Sequence, residues 1–328
     1  MRSVAAALAW IAALCGALVL GSPPAAAQAY PAKPVHLIVG FPPGGGTDIL
    51  ARLLAQRLGD AWGQSVVVEN RPGASATIAA NVVAHAAPDG YTLSMGQLTP
   101  NAIAPALYGN LAYDALKDFT PIVLVGTSPN VLVVSPALPV RSVSELVARA
   151  KAGGKPLTYA SSGPGSLQHI AAELFRSMAN VPLLHVPYKG SGQAVIDVMS
   201  GQVDMNFDSI PATAQHIKSG KLRAVAVTGA ARAGGGLEDV PTIAESGFPG
   251  YDLTTWWGLF APAGTPGAVV KRIHDDTVAI LKLPEVRERF ATVGVEPGGG
   301  TSDEFAAYVR QEVAKYDKLV KQLDIKVE

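Results

Sequence analysis

The chain is 328 residues long and carries 26 basic and 26 acidic residues, so its formal net charge is zero. The length is room for about two domains of roughly 100–200 residues each. The charge balance argues against a basic nucleic-acid footprint or an acidic tail, and no nucleic-acid partner is expected. Hydrophobic residues make up 48%, with 34 glycines and 25 prolines, which describes a globular chain rich in turns.

The N-terminus reads as an address. Arg2 is the only charge before Lys33, and Val4 to Leu20 is an apolar run. Gly21-Ser22-Pro23-Pro24 then breaks any helix, and Ala25-Ala26-Ala27 follows. A charged start, apolar middle and A-x-A exit predict a cleaved secretory signal over residues 1–29, cut after Ala27 or Ala29. An uncleaved anchor competes with this reading, since the run approaches the roughly 17-residue minimum for a span. The double proline favours cleavage. Cys15, the single cysteine, lies inside this run. The exported chain is therefore expected to lack a disulfide, a thiolate zinc site or a cysteine nucleophile. With no later run long enough to span, it is expected to be soluble.

From Pro34 onward, strands and helices alternate. Val35 to Val39, Val66 to Val68, Tyr91 to Met95, Pro121 to Val125 and Val131 to Val134 are predicted strands. Helices are predicted from Ile49 to Leu58, from Ala74 to Ala86, and from the capping box Ser142-x-x-Glu145. Strands at Leu157 to Ala160, Leu184 to Val186, Val203 to Phe207 and Leu222 to Val227 alternate with helices at 166–178, 194–199 and 213–218. After a Gly/Pro-rich stretch come Trp256 to Phe260 and three helices, the last opened by Thr301-x-x-Glu304. This is an α/β pattern with largely parallel pairing, expected to form two sheets.

Two glycine loops join a strand to a helix. The first, Phe41-Pro42-Pro43-Gly44-Gly45-Gly46-Thr47-Asp48, fits neither a phosphate-binding P-loop nor a dinucleotide fingerprint. Glycine N–H groups at a helix start suit a carboxylate or phosphate; a plain turn capped by Thr47 or Asp48 is the alternative. The second is Ser161-Ser162-Gly163-Pro164-Gly165-Ser166, with His169 one turn on. It offers either another oxyanion edge or a Ser166–His169 catalytic pair, although G-x-S-x-G is absent and no third member stands out. Ser166 as a simple helix cap is the remaining reading. The six histidines show no metal-ligand spacing, so no metal is expected.

A longer series of motifs runs through the chain in order. It begins with Tyr30-Pro31-x-Lys33-Pro34, P-P-G-G-G-T-D at 42–48 and Val68-Glu69-Asn70-Arg71-Pro72-Gly73-Ala74. Tyr113-Asp114, Lys117-Asp118-Phe119, Tyr159-Ala160-Ser161-Ser162-Gly163 and Val186-Pro187-Tyr188-Lys189-Gly190 follow. Gly220-Lys221-Leu222-Arg223, Val240-Pro241-Thr242 and Trp257-Gly258-Leu259-Phe260-Ala261-Pro262 close it. This resembles the Bug family, the periplasmic solute-binding proteins of tripartite tricarboxylate transporters.

The resemblance implies a two-lobed α/β fold of the type II periplasmic binding protein class, with a ligand cleft between two sheets. It places lobe I at residues 30–128 plus 252–328 and lobe II at 129–251. It implies a small carboxylate ligand, membrane permease subunits as partners, a monomer, no cofactor and no catalysis. Carried over by position, the binding residues are Phe41, Gly44, Gly45, Gly46, Thr47 and Asp48 on one side. Ser161, Ser162, Gly163, Gly165, Ser166 and His169 form the other. Thr99 within the 97–101 segment, Lys189, Gly190 and Asp208 are pocket neighbours. That segment departs from the family's usual smaller residues and histidine. Asp48 also fits a helix cap, Lys189 a solvated charge, and Trp256 and Trp257 a hinge or core role. A sensory receptor and a secreted serine hydrolase are the alternative functions.

Overall fold

The computed structural model describes residues 30–327, and the expected signal segment 1–29 lies outside the described residues. Residues 33–328 form the unit described below.

The first half alternates β1 (Val35–Val39), α1 (Gly46–Trp62), β2 (Val66–Asn70), α2 (Thr77–Ala84), β3 (Thr92–Gln97) and the single turn α3 (Ala104–Leu107). A long strand follows, β4 (Phe119–Val134). Then come α4 (Val143–Lys151), β5 (Leu157–Ser161), α5 (Leu167–Ala179), β6 (Leu183–Pro187), α6 (Ser191–Ser200), β7 (Met205–Ser209), α7 (Ile210–Lys218) and β8 (Arg223–Val227). The chain closes with β9 (Thr254–Pro262), α8 (Gly267–Leu281), α9 (Pro284–Thr292), β10 (Glu296–Gly299) and α10 (Ser302–Gln322).

Burial explains the strands. Four of the five residues of β1 are buried, as suits a strand with parallel neighbours β2 and β3. The helix ends follow local chemistry. Gly63 adopts φ +62° to end α1, while Ser142 and Thr301 cap α4 and α10 as their motifs predict.

Two expectations are corrected. The pairing is mixed rather than largely parallel, with four parallel and five antiparallel strand pairs among the described residues. The stretches around Pro121 and Val131 are also one strand, not two. Register shifts beside Pro121 and near Gly126 let β4 bend without breaking. Its first part, to Pro129, pairs with β9 in the sheet β2-β1-β3-β9-β4; from Asn130 it pairs with β7 in the sheet β4-β7-β5-β6. One strand therefore serves both sheets. The strand β10 escapes sequence reading because Glu-Pro-Gly-Gly has no apolar alternation; it forms by pairing with β4.

Aromatic packing holds β9 to α10. The Trp256 and Phe305 rings meet edge to face at 5.8 Å, and Phe260 and Phe305 lie 5.1 Å apart. A Cβ added at Gly258 would overlap the buried Phe305 ring. Gly258→Ala is therefore expected to cost about 1–3 kcal/mol through overpacking. Urea denaturation should show a lower midpoint with an unchanged slope.

Candidate ligand-binding site

The loops after β1, β5, β6 and β7 all open toward one place, each leading directly into a helix. Together with residues from β3, β4 and β9 they surround about 460 Å³ of empty space, part of it continuous with solvent. Its wall contains Phe41, Gly45, Gly46 and Thr47 from the first glycine loop, and Ser162, Leu167 and Gln168 from the second. Gln97, Thr99, Asn130, Ser191, Asp208, Ser209, Thr255 and Trp257 complete it. No lysine or arginine lines this cavity. What it presents to an anion is the starts of helices, where first-turn N–H groups have no intrahelical acceptor and the dipole end is positive.

The first loop is fixed from behind. Asp48 is buried and accepts hydrogen bonds from the Gly44 N–H at 3.0 Å, Arg52 Nε at 3.0 Å and Asn70 Nδ2 at 2.8 Å. Burial pushes its carboxyl up, but the bonds from Arg52, Gly44 and Asn70 outweigh that and hold it below the usual carboxylate range. Asn70 also donates to the Phe41 carbonyl at 2.9 Å, locking the strand end to the loop. Asp48 thus shapes the loop rather than lining it. Across the cavity, Trp257 Nε1 donates to Thr47 Oγ1 at 3.0 Å. Trp257 is buried, as the hinge-or-core reading expects, and also forms part of the wall; Trp256 is core.

The second loop is fixed through Gln168. Its Oε1 accepts from the Ser162 N–H at 3.0 Å and from the Ser162 hydroxyl. Its Nε2 donates to Ser191 Oγ at 3.0 Å and Asp208 Oδ1 at 2.9 Å. Asp208 is fully buried and also accepts from Ser191 Oγ at 2.8 Å, the Ser209 N–H at 2.7 Å and Asn206 Nδ2 at 2.9 Å. Burial raises its pKa, and those four donors oppose the rise. One carboxylate thereby sets the orientation of Gln168, Ser191 and, through Gln168, Ser162.

The other sequence-selected residues stand behind the wall. Ser166 caps α5 by accepting from the His169 N–H at 3.4 Å, while His169 Nδ1 accepts from the Gly165 N–H at 3.0 Å. Both side chains bond to backbone N–H groups of this turn, and no hydrogen bond joins them to each other. Ser161 Oγ meets His185 Nε2 at 2.6 Å and the Gly163 N–H at 3.1 Å. Gly163 and Gly165 hold φ of +125° and +74°, which shape the turn. Lys189 is exposed, and Gly190 packs so closely on Pro42 that a Cβ would lie 2.5 Å from its Cδ. Gly44, Asp48, Ser161, Gly163, Gly165, Ser166, His169, Lys189 and Gly190 are thus outside the wall.

Sequence reasoning passed over Asn130, Leu167, Gln168, Ser191, Ser209 and Thr255. Leu167, Gln168 and Ser191 are the first residues of α5 and α6, so the helix starts following each loop were an available signal. Asn130 and Thr255 sit within strands, where no local pattern marks them. Among the described residues, no group of three or more acidic or histidine side chains is placed to hold a metal.

The family model for the tripartite tricarboxylate transporter family receptor matches residues 50–325. The chain belongs to this family of Bug-type periplasmic solute receptors. BugT of Bordetella pertussis is 36% identical over 305 residues, 93% of this chain and 93% of that protein. The R. palustris protein Rpa4515, solved with adipate, is 38% identical with a TM-score of 0.88, covering 90% of this chain and 99% of that one. MatC from Rhodopseudomonas palustris, solved with malate, is 33% identical with a TM-score of 0.84, covering 89% and 100%. The α/β periplasmic-binding-protein architecture expected from the resemblance is the one found.

In this receptor, a stack of three rings supports the second loop. His185 lies between Tyr159, 4.8 Å away, and His169, 4.3 Å away, with planes within 12° and 8° of parallel. Burial, with His169 adding to it, brings the His185 pKa down to about 4. In the unfolded chain a histidine titrates near 6.5. The unfolded state therefore binds a proton that the folded state refuses between those values, and stability falls as pH drops from about 6.5 toward 4. His185→Phe, which keeps a ring in the stack, is expected to flatten this slope in thermal unfolding across pH.

Proposed function

We propose that this protein binds a small carboxylate in the cavity between the two glycine loops and delivers it to the membrane permease of a tripartite tricarboxylate-type transporter. The observation that carries the reading is a wall without a cationic side chain, into which the starts of α1, α5, α6 and α7 open. An anion there meets N–H groups and hydroxyls held in place by buried bonds. Each hydrogen bond to a charged group contributes about 1.5–3 kcal/mol, so three or four approach the roughly −8 kcal/mol of a micromolar complex. The adipate and malate in Rpa4515 and MatC support a carboxylate as the ligand class.

The lobes in this proposal are residues 30–128 plus 252–328 and residues 129–251. The change of β4 from β9 to β7 at Pro129–Asn130 supports that boundary, because the strand passes there from one sheet to the other. Closure is a hinge motion of one lobe on the other in a monomer. The family's periplasmic role supports a cleaved signal over 1–29. Reaction chemistry finds no support at Ser166, since its hydroxyl serves as a helix cap.

Thermal unfolding of the chain from residue 30 onward, against a panel of carboxylates with sugars and nucleotides as controls, tests the reading. A ligand at about 100 times its Kd adds roughly 2.7 kcal/mol and raises Tm visibly. Gly46→Val should abolish the shift, because its Cβ would lie 2.6 Å from Ser209 Oγ and force these two wall residues apart. A panel in which no carboxylate moves the transition of refolded protein would overturn the reading.

A further inference from the structure

The cavity wall contains one buried acceptor with nothing to accept. Asn130 is 3% exposed and stands where β4 leaves one sheet for the other. Its backbone N–H donates to Thr228 Oγ1 at 2.8 Å, and its carbonyl accepts from the Thr228 N–H at 2.8 Å. Its side-chain Nδ2 donates to the Phe207 carbonyl at 2.8 Å. That bond fixes the amide, since turning it over would set oxygen against oxygen. Oδ1 is left without a partner. Three other buried side-chain atoms among the described residues share this condition, on Asn81, Asn206 and Tyr316, but none of those residues lines the cavity.

Resting on the carboxylate-receptor reading, we propose that the ligand is a hydroxy acid whose hydroxyl group donates to Asn130 Oδ1. An amide oxygen only accepts, so it repels a carboxylate oxygen and rewards a donor. The neighbouring acceptors are occupied. Gln97 Oε1 takes the Thr99 N–H at 3.0 Å, Gln168 Oε1 takes Ser162, and Asp208 Oδ1 takes Gln168, Ser191 and Ser209. An ammonium brings three protons and a charge to be neutralised, whereas a hydroxyl brings one proton. Among the described residues, Asn130 Oδ1 is the one buried side-chain atom of the wall without a partner, and one acceptor matches one hydroxyl. A site with a buried group meant for a substrate hydroxyl discriminates strongly against the analogue lacking it, because the group is then left unpaired.

Titration calorimetry on refolded, ligand-free protein with two matched sets of acids tests this. One set is succinate, malate and aspartate; the other is adipate, hydroxyadipate and aminoadipate. In whichever chain length binds, the hydroxy acid is expected to bind roughly tenfold to a hundredfold more tightly than its parent. In Asn130→Ala that gap should shrink to about threefold or less. Equal or tighter binding of the parent acid overturns the proposal, with Oδ1 then serving only a water, and leaves the receptor reading standing. An amino acid binding most tightly overturns it in favour of an ammonium. If no acid of either set binds, the proposal is overturned, and the wider carboxylate panel of the thermal-unfolding test decides the receptor reading separately. Should Asn130→Ala fail to fold, the matched pairs on the unmodified protein decide the question alone.

Discussion

A buried carboxylate with no cation beside it must be held by hydrogen bonds alone, and Asp208 is such a group. Its donors come from four different places: Gln168 at the start of α5, Ser191 at the start of α6, Asn206 on β7 and the Ser209 backbone at the β7–α7 junction. Three of these donors, Gln168, Ser191 and Ser209, belong to the wall of one cavity. The charge costs desolvation energy, which the four hydrogen bonds offset in part, and the same bonds order three side chains at a further entropic cost. The second glycine loop inherits the result, since Ser162 is oriented by the far end of Gln168. A parallel arrangement on the other side uses Asp48 with Arg52, Asn70 and Gly44 to hold the first loop.

These two clusters explain why several residues of the loops bond within the protein instead of lining the cavity. Acidic residues in an anion-binding protein have to be shielded from the ligand or satisfied first, and Asp48 and Asp208 are satisfied by several donors each. Hydroxyls behave similarly. Ser166 is spent on its helix cap and Ser161 on His185 and its own turn, so neither is offered to the cavity. What remains at the wall is a set of glycines, hydroxyl and amide side chains and the starts of helices, spread over seven segments of the chain.

Much of the site's location was nevertheless legible. Glycine-rich loops between an apolar strand and an amphipathic helix have a physical meaning at short range, and Gly45, Gly46, Thr47 and Ser162 of those loops line the cavity. Strand–helix alternation also located nearly every element, with boundaries moved by a few residues. The less legible parts are those made by distant partners. Trp257 reads as core because it is aromatic and sits in an apolar run, yet its ring nitrogen bonds Thr47 across 210 positions. Asn130 reads as a polar interruption in a strand. Its significance arises only where Phe207 and Thr228 fix it at the cavity wall.

The sequence by itself determined the α/β class, the order of elements, the family resemblance and two of the loops, because hydrophobic period, glycine placement and capping residues act over a few neighbours. Only the tertiary structure decided that one sixteen-residue strand joins both sheets, that pairing is mixed, and which side of each loop faces the cavity. Those outcomes depend on which strand lies beside which, and on hydrogen bonds between residues tens to hundreds of positions apart. Spacing along a chain carries no record of them.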